Sequence, residues 1–315
     1  MEAVKFLLQA ARRPEFRELV KAMKEFRKYV YWKTAKTLVE SGVTEVEPRD
    51  DISRLTAAVL SDGGFAVEVG GRYRVEEPGE PPRITTSFVA EFIPVVDRVL
   101  ATLPEALATG RRRLLYAGGD KECKAVFAKF LDNSGYNLIR EWAVKWGGFT
   151  RLPPGSVVVD VGAGMGLSTK ALLSLTECEV VAVDPHPASL DVAESYASLL
   201  GVRGRARFVV GRGEELNRVV GEADAALLIN VLHWCLDPRR VLSEVRRVLG
   251  ERGFAVVMQG VYDSKPHRAG NLLTWLMGSS ILPSRATLKE WFKDAGLRVK
   301  RYTRLPVDTF LLIPA

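Results

Sequence analysis

The chain has 315 residues, of which 47% are hydrophobic and 26% charged, with 27 Gly and 16 Pro. At roughly 150 residues per domain this is length for about two domains, and the composition excludes collagenous, low-complexity and largely disordered chains. The net charge of +7 is shared by both halves, without the concentrated basic field of a dedicated nucleic-acid binder.

Cys123, Cys178 and Cys235 are odd in number and lack C-x-x-C spacing, which speaks against a disulfide framework or a zinc site and for a reducing, cytoplasmic compartment. The N-terminus alternates charged and apolar residues, unlike a signal peptide. The longest apolar run, 225–236, is too short to span a bilayer and contains Asn230 and His233, so no membrane partner is expected. Gln9 and Gln259 are the only glutamines, a scarcity shared with heat-adapted proteins.

Residues up to about Val30 carry Phe16, Leu19, Val20, Met23 and Phe26 at helical spacing, and 31–40 repeats the pattern until Ser41-Gly42 stops it. A further amphipathic helix is predicted over 51–61, closed by Asp62-Gly63-Gly64. Strands at 65–69 and 72–75 flank a Gly70-Gly71 turn as a hairpin. Helices followed by such a hairpin predict a winged helix, with 76–82 as its exit linker. Helices follow over 87–107 and 121–146, separated by Arg111-Arg112-Arg113, read as solvated surface, and by Gly118-Gly119.

After Pro153-Pro154-Gly155, strands and helices alternate: strand 157–161, a helix from Gly166, strand 180–183, helix 188–200, strand 207–210, a short helix, strand 225–229, helix 238–249 and strand 255–258. This order calls for a mostly parallel sheet with helices on both faces. Asp237 reads as an N-cap before Pro238, and Gly250 as the stop of that helix. A capping box at Thr287–Glu290 opens a final helix ending at Ala295-Gly296, and strands 297–302 and 309–313 close the sheet as an antiparallel hairpin. The expected division is a helical winged-helix dimerisation domain over 1–110, linking helices over 111–154 and a Rossmann-like α/β domain over 155–315.

The chemistry concentrates at Asp160-Val161-Gly162-Ala163-Gly164-Met165-Gly166, where a buried strand runs into a glycine-rich turn and a helix. Glycines are needed where the backbone turns tightly and a ligand approaches closely. A nicotinamide-binding chain would place a third glycine where Leu167 stands. Asp184 ends the next strand, where its carboxylate can accept from both hydroxyls of a ribose.

Carried by these residues, residues 156–315 resemble the class I S-adenosylmethionine-dependent methyltransferases. The resemblance implies S-adenosylmethionine or S-adenosylhomocysteine as cofactor and no metal. Asp160, Gly162, Ala163, Gly164 and Gly166 match the first motif, whose acid helps hold the methionine amino group, and Asp184 with Pro185 matches the ribose site. Arg212, Gly213 and Glu214 fall on the adenine side, with Arg212 where the family often has an acid, and Asn230 and Val231 fall beside the transferred methyl. The N-terminal architecture is similar to that of small-molecule O-methyltransferases that dimerise through a winged-helix domain. In those enzymes a histidine at the position of His233 deprotonates the acceptor hydroxyl, which makes His233 the expected general base. His186 reads as an edge residue near the adenine, His267 as a solvated loop residue, and Leu272, Leu273, Trp275, Leu276 and Met277 as core, dimer or acceptor contacts.

The expected function is a homodimeric, cytoplasmic methyltransferase of a small, apolar or aromatic acceptor, at a hydroxyl oxygen. The alternative is a winged-helix ligand-binding or DNA-binding regulator with a vestigial methyltransferase domain. Against DNA, the candidate recognition helix 51–61 is flanked by Asp50, Asp51 and Asp62 and offers only Arg54. Against nucleobase or glutamine nitrogens as acceptors, Asn230 is followed by Val231 and Leu232 rather than by two prolines and a tyrosine.

Overall fold

The computed structural model describes residues 2–112 and 121–315; Arg113 of the basic run and the Gly118-Gly119 break lie outside the described residues. In chain order the elements are α1 (Glu2–Ala10), α2 (Pro14–Glu40), β1 (Glu45–Val46), α3 (Asp51–Gly63), β2 (Ala66–Val69), β3 (Arg72–Val75), α4 (Ser87–Leu100), α5 (Leu103–Thr109) and α6 (Lys121–Leu131). Then come α7 (Ser134–Gly147), β4 (Val157–Val161), α8 (Leu167–Leu175), β5 (Glu179–Asp184), α9 (Pro187–Leu199), β6 (Ala206–Val210), α10 (Leu216–Val219), β7 (Ala223–Ile229) and α11 (Pro238–Val248). The chain closes with β8 (Leu249–Met258), α12 (Lys265–Met277), α13 (Arg285–Asp294), β9 (Leu297–Thr303) and β10 (Thr309–Pro314). Two compact units result: Met1–Phe16 with Ser134–Val261 and Pro283–Ala315, and Arg17–Asn133 with Tyr262–Leu282.

The first unit is built on a seven-stranded sheet of order β6-β5-β4-β7-β8-β10-β9. Pairing is parallel from β6 to β8, and β10 is antiparallel to both β8 and β9. The expected architecture, a mostly parallel sheet ending in an antiparallel hairpin, is therefore present. Its central strands are apolar on both faces because helices cover both. Val159, Ala226, Leu228 and Val257 join one buried cluster with Val241, Leu242 and Val245 of α11. From β4 the chain builds outward through β5 and β6, then returns to lay β7 on the other side of β4. That reversal opens a crevice at the carboxyl ends of β4 and β7, the place where such sheets bind ligands.

Local chemistry sets the ends of these helices. Asp237 caps α11 by accepting from the Arg240 N–H at 3.0 Å, with Pro238 in the first turn. Gly250 is no left-handed cap: α11 ends at Val248 and Gly250 already lies in β8. The last helix opens at Ser284 rather than Thr287, because Ser284 Oγ accepts the Thr287 N–H at 3.0 Å and so satisfies the third-residue donor.

In the second unit α3 is capped by Asp50 and Ser53, each bonding the other's backbone N–H. The expected hairpin is present as β2 and β3, joined by β1 to give a three-stranded sheet of order β1-β3-β2. With only two residues, β1 left no period to read. The N-terminal helical pattern breaks before Pro14, and α2 then runs unbroken through 31–40. The helix expected over 87–107 breaks at Ala101-Thr102, where α5 starts with Pro104 in its first turn, and the one over 121–146 breaks between Leu131 and Ser134.

The polar segment 262–268, expected as loop, contains the start of α12. Ser264 stands at its N-cap position and Pro266 in its first turn, so His267 is helical. Asp62, with a side chain only 5% exposed, receives Arg268 Nη1 at 3.1 and 3.3 Å from its two oxygens. Arg268 also lies over the Tyr262 ring at 5.0 Å.

Candidate functional site

The glycine turn after β4 separates three demands that look alike in the sequence. Gly162 (φ +70°) lies under Val231, and a Cβ there would meet Val231 Cγ2 at 2.1 Å. Gly166 packs against α9, where a Cβ would meet Ala193 Cβ at 2.4 Å. Gly164 (φ +54°) has nothing within 4 Å of the position its Cβ would take, so its left-handed backbone faces open space that a ligand can fill. The Gly162 and Ala163 N–H groups donate to Val183 O at 2.8 and 3.0 Å and tie the turn to β5.

Asp184 holds this turn. Its Oδ2 accepts the Gly164 N–H at 2.9 Å, and its Oδ1 accepts the His186 N–H at 2.9 Å with His186 Nδ1 at 3.2 Å. An ionised carboxylate has about four acceptor sites. A ribose can therefore use the remaining one on Oδ2 and displace His186 Nδ1 from Oδ1. Pro185, next to it, is exposed.

Asp160 is 1% exposed and accepts Thr169 Oγ1–H at 2.6 Å. Burial raises its pKa to about 7, against the lowering Thr169 bond, with the nearby Asp184 charge adding to the rise and Arg140 opposing it. A buried acid at that value is poised to ionise when a cation arrives. Thr169 and Arg140 were not singled out from the sequence; on helices α8 and α7 they are hidden among ordinary helix residues.

After β6, Arg212 is exposed and Gly213 packs against Val241 and Val161. Glu214 Oε1 accepts the N–H groups of Leu236 and Asp237 at 2.8 and 3.2 Å, so part of this carboxylate organises the loop before α11. Asn230 sits in left-handed backbone at φ +50°, a conformation asparagine tolerates, and its Oδ1 accepts the Gly260 N–H at 2.8 Å. The structure thus gathers Asp160, Gly162 to Gly166, Asp184, Asn230 and Val231 at the strand ends on either side of β4.

His233 follows β7 in a short turn and is buried. Its Nδ1 meets Gln259 Nε2 at 3.1 Å, and burial lowers its pKa to about 4 despite the Gln259 bond. The general-base role expected from its position meets an obstacle, since such a ring is a weak proton acceptor near neutrality. Gln259 gave no sequence signal of its own. Burial pushes the neighbouring Cys235 thiol up to about 12, with the Glu214 and Asp184 charges adding to it, which keeps it from being a nucleophile. Among the described residues no group of His, Cys, Asp and Glu is arranged for a metal, and no helix is long and apolar enough to cross a membrane.

The methyltransferase domain family matches residues 159–257, which contain the cradle. The chain is 25% identical over 144 residues to the ribosomal protein L11 methyltransferase of Aliivibrio salmonicida, covering 46% of each chain. It spans less than half the length of the curated relatives it matches. The structure superposes on the CurJ carbon methyltransferase with a TM-score of 0.69 at 15% identity, over 99% of this chain and 96% of that one. It also superposes on CalO1, a methyltransferase in calicheamicin biosynthesis solved in its S-adenosylhomocysteine-bound form, with a TM-score of 0.51 at 21% identity over 98% and 99% of the two chains. The fold is that of the class I S-adenosylmethionine-dependent methyltransferases. The domain match and the cradle's donor set together support S-adenosylmethionine, or S-adenosylhomocysteine, as the ligand.

Proposed function

We propose that this chain is an S-adenosylmethionine-dependent methyltransferase acting on a small acceptor with an apolar or aromatic body, at a hydroxyl oxygen. The observation that carries the reading is the pairing of open, left-handed Gly164 with Asp184 at the switch point of the sheet, inside the segment that matches the methyltransferase domain. When bound, S-adenosylmethionine supplies an electrophilic methyl group on a sulfonium sulfur. Asp184 and Pro185 take the ribose, and Asp160 takes the α-amino cation across the Gly162-Ala163-Gly164 backbone. Arg212, Gly213 and the Glu214 backbone flank the adenine, Asn230 and Val231 border the methyl, and His233 contacts the acceptor. Methyl transfer is an in-line displacement, so the chain contributes chiefly alignment and exclusion of water.

Support for a homodimeric, cytoplasmic enzyme with a winged-helix dimerisation domain comes from α3 followed by the three-stranded sheet, and from the scattered cysteines. Light scattering should then report about twice 34.8 kDa. The regulator alternative has no support in the comparisons, and Arg54, the one basic residue of α3, is already bonded to Asp51 at 2.8 Å. The deciding experiment supplies S-adenosylmethionine labelled in its methyl group together with a panel of small phenols and enols. Label should pass into the small-molecule fraction; label in protein or nucleic acid instead would overturn the small-acceptor reading.

A further inference from the structure

Gln259 lies just past β8, and its side chain is surrounded by groups that leave it one orientation. Its Oε1 faces the Leu232 N–H at 3.3 Å, and its Nε2 faces Gly260 O at 3.2 Å and His233 Nδ1 at 3.1 Å. Turning the amide over would set its NH₂ against the Leu232 N–H and its oxygen against the Gly260 carbonyl. Two backbone groups therefore fix the amide, and its second N–H points at His233 Nδ1. An amide N–H can only donate, so Nδ1 must present a lone pair. In a neutral imidazole the proton then sits on Nε2. Nε2 has no partner among the described residues.

We propose that Gln259 is a positioning residue that locks His233 as the Nε2–H tautomer, so that His233 serves the acceptor as a hydrogen-bond donor rather than a base. The matching acceptor is one whose hydroxyl is acidic enough to ionise before transfer, a phenolate or enolate held at its oxygen by Nε2–H. Its proton leaves to water beforehand. The acceptor's electron pair forms the new bond to the methyl carbon while the carbon–sulfur pair returns to sulfur, and the two opposite charges cancel. Burial that resists a cationic ring favours the same role, since a neutral donor keeps its proton through the reaction. The acceptor class rests on the methyltransferase reading; the tautomer does not.

The chain has three histidines, so long-range ¹H–¹⁵N NMR of the ¹⁵N-labelled protein with S-adenosylhomocysteine can isolate His233 by comparison with a His233→Phe variant. The expected spectrum shows a pyridine-like Nδ1 and a pyrrole-like Nε2, unchanged from pH 8 to about 6. A protonated Nδ1, or averaged tautomers, would overturn the lock. Gln259→Glu should reverse the pattern, because a carboxylate accepts from Nδ1–H, and should move the ring's titration to higher pH. An unchanged tautomer in a folded Gln259→Glu protein would show that Gln259 does not set it. The acceptor class is read separately with 4-nitrophenol, whose phenolate absorbs in the visible. Bound to the wild-type complex, its apparent pKa should fall by about one unit, tenfold in favour of the phenolate, and His233→Phe should abolish the shift. Binding as the neutral phenol, or no binding, would overturn the acceptor class. Failure of S-adenosylhomocysteine to bind would instead overturn the methyltransferase reading and leave the tautomer result standing.

Discussion

Cofactor affinity should depend on pH through Asp160. In the free protein this carboxyl is buried, lies near the Asp184 charge and ionises only at about 7. In the proposed role the α-amino cation of S-adenosylhomocysteine pairs with the carboxylate, so binding below pH 7 should expel a proton. Each pH unit below 7 then costs about 1.4 kcal/mol, and affinity at pH 5 should be about 100-fold weaker than near pH 7. At higher pH still, the ligand's own amino group loses its proton and affinity declines again. For the free protein the sign is opposite. A folded-state pKa raised above the ordinary value near 4 makes the acid form stabilising, and that contribution is lost as pH rises through about 7. Calorimetry in two buffers of different ionisation enthalpy, at pH 5, 6 and 7, measures both affinity and protons released. Asp160→Asn should bind more weakly at pH 7 and show no such slope. Affinity that stays flat from pH 5 to 7, or proton uptake on binding, would refute the role given to Asp160.

The glycines should separate by assay. Gly162→Ala combines left-handed strain with a clash on Val231, so it should lose about 2 to 4 kcal/mol of stability. Gly164→Ala has room in the free chain and should lose only about 1 kcal/mol while binding S-adenosylhomocysteine at least tenfold more weakly; wild-type affinity in Gly164→Ala would contradict the ligand-facing assignment. In the other unit, Glu25 is partly buried, which alone would raise its pKa, yet bonds from the side chains and N–H groups of Thr85 and Thr86 hold it down to about 2. Its stabilisation is present above the ordinary carboxylate pKa near 4.5 and is lost as pH falls toward 2. The melting-temperature gap between wild type and Glu25→Gln should accordingly be wide at pH 7 and narrow by pH 3; a constant gap would contradict this.

Most of the sheet was legible because its central strands carry short apolar runs set off by turn residues, a pattern that local sequence carries. Asp160 and Asp184 were legible for the same reason: an acid ending a buried strand stands out against valines. The residues that were missed act at long range. Thr169 reaches Asp160 from the next helix, and Gln259, just past the end of β8, reaches His233 across 26 positions of chain. The helix start at Lys265 was misread because Ser264, Lys265, Pro266 and His267 carry turn chemistry that also opens helices. Composition could not tell Gly162 from Gly164 either, since the difference lies in Val231, 69 positions away in the chain.

The central claim is that this cradle holds S-adenosylmethionine through Asp184, and calorimetry of S-adenosylhomocysteine against wild type and Asp184→Ala tests it most directly. One ligand should bind per chain with NAD silent. Loss of a charged acceptor, at roughly 1.5 to 3 kcal/mol per hydrogen bond, should weaken Asp184→Ala at least tenfold. Tight NAD binding, or an Asp184→Ala protein with wild-type affinity, would contradict the account.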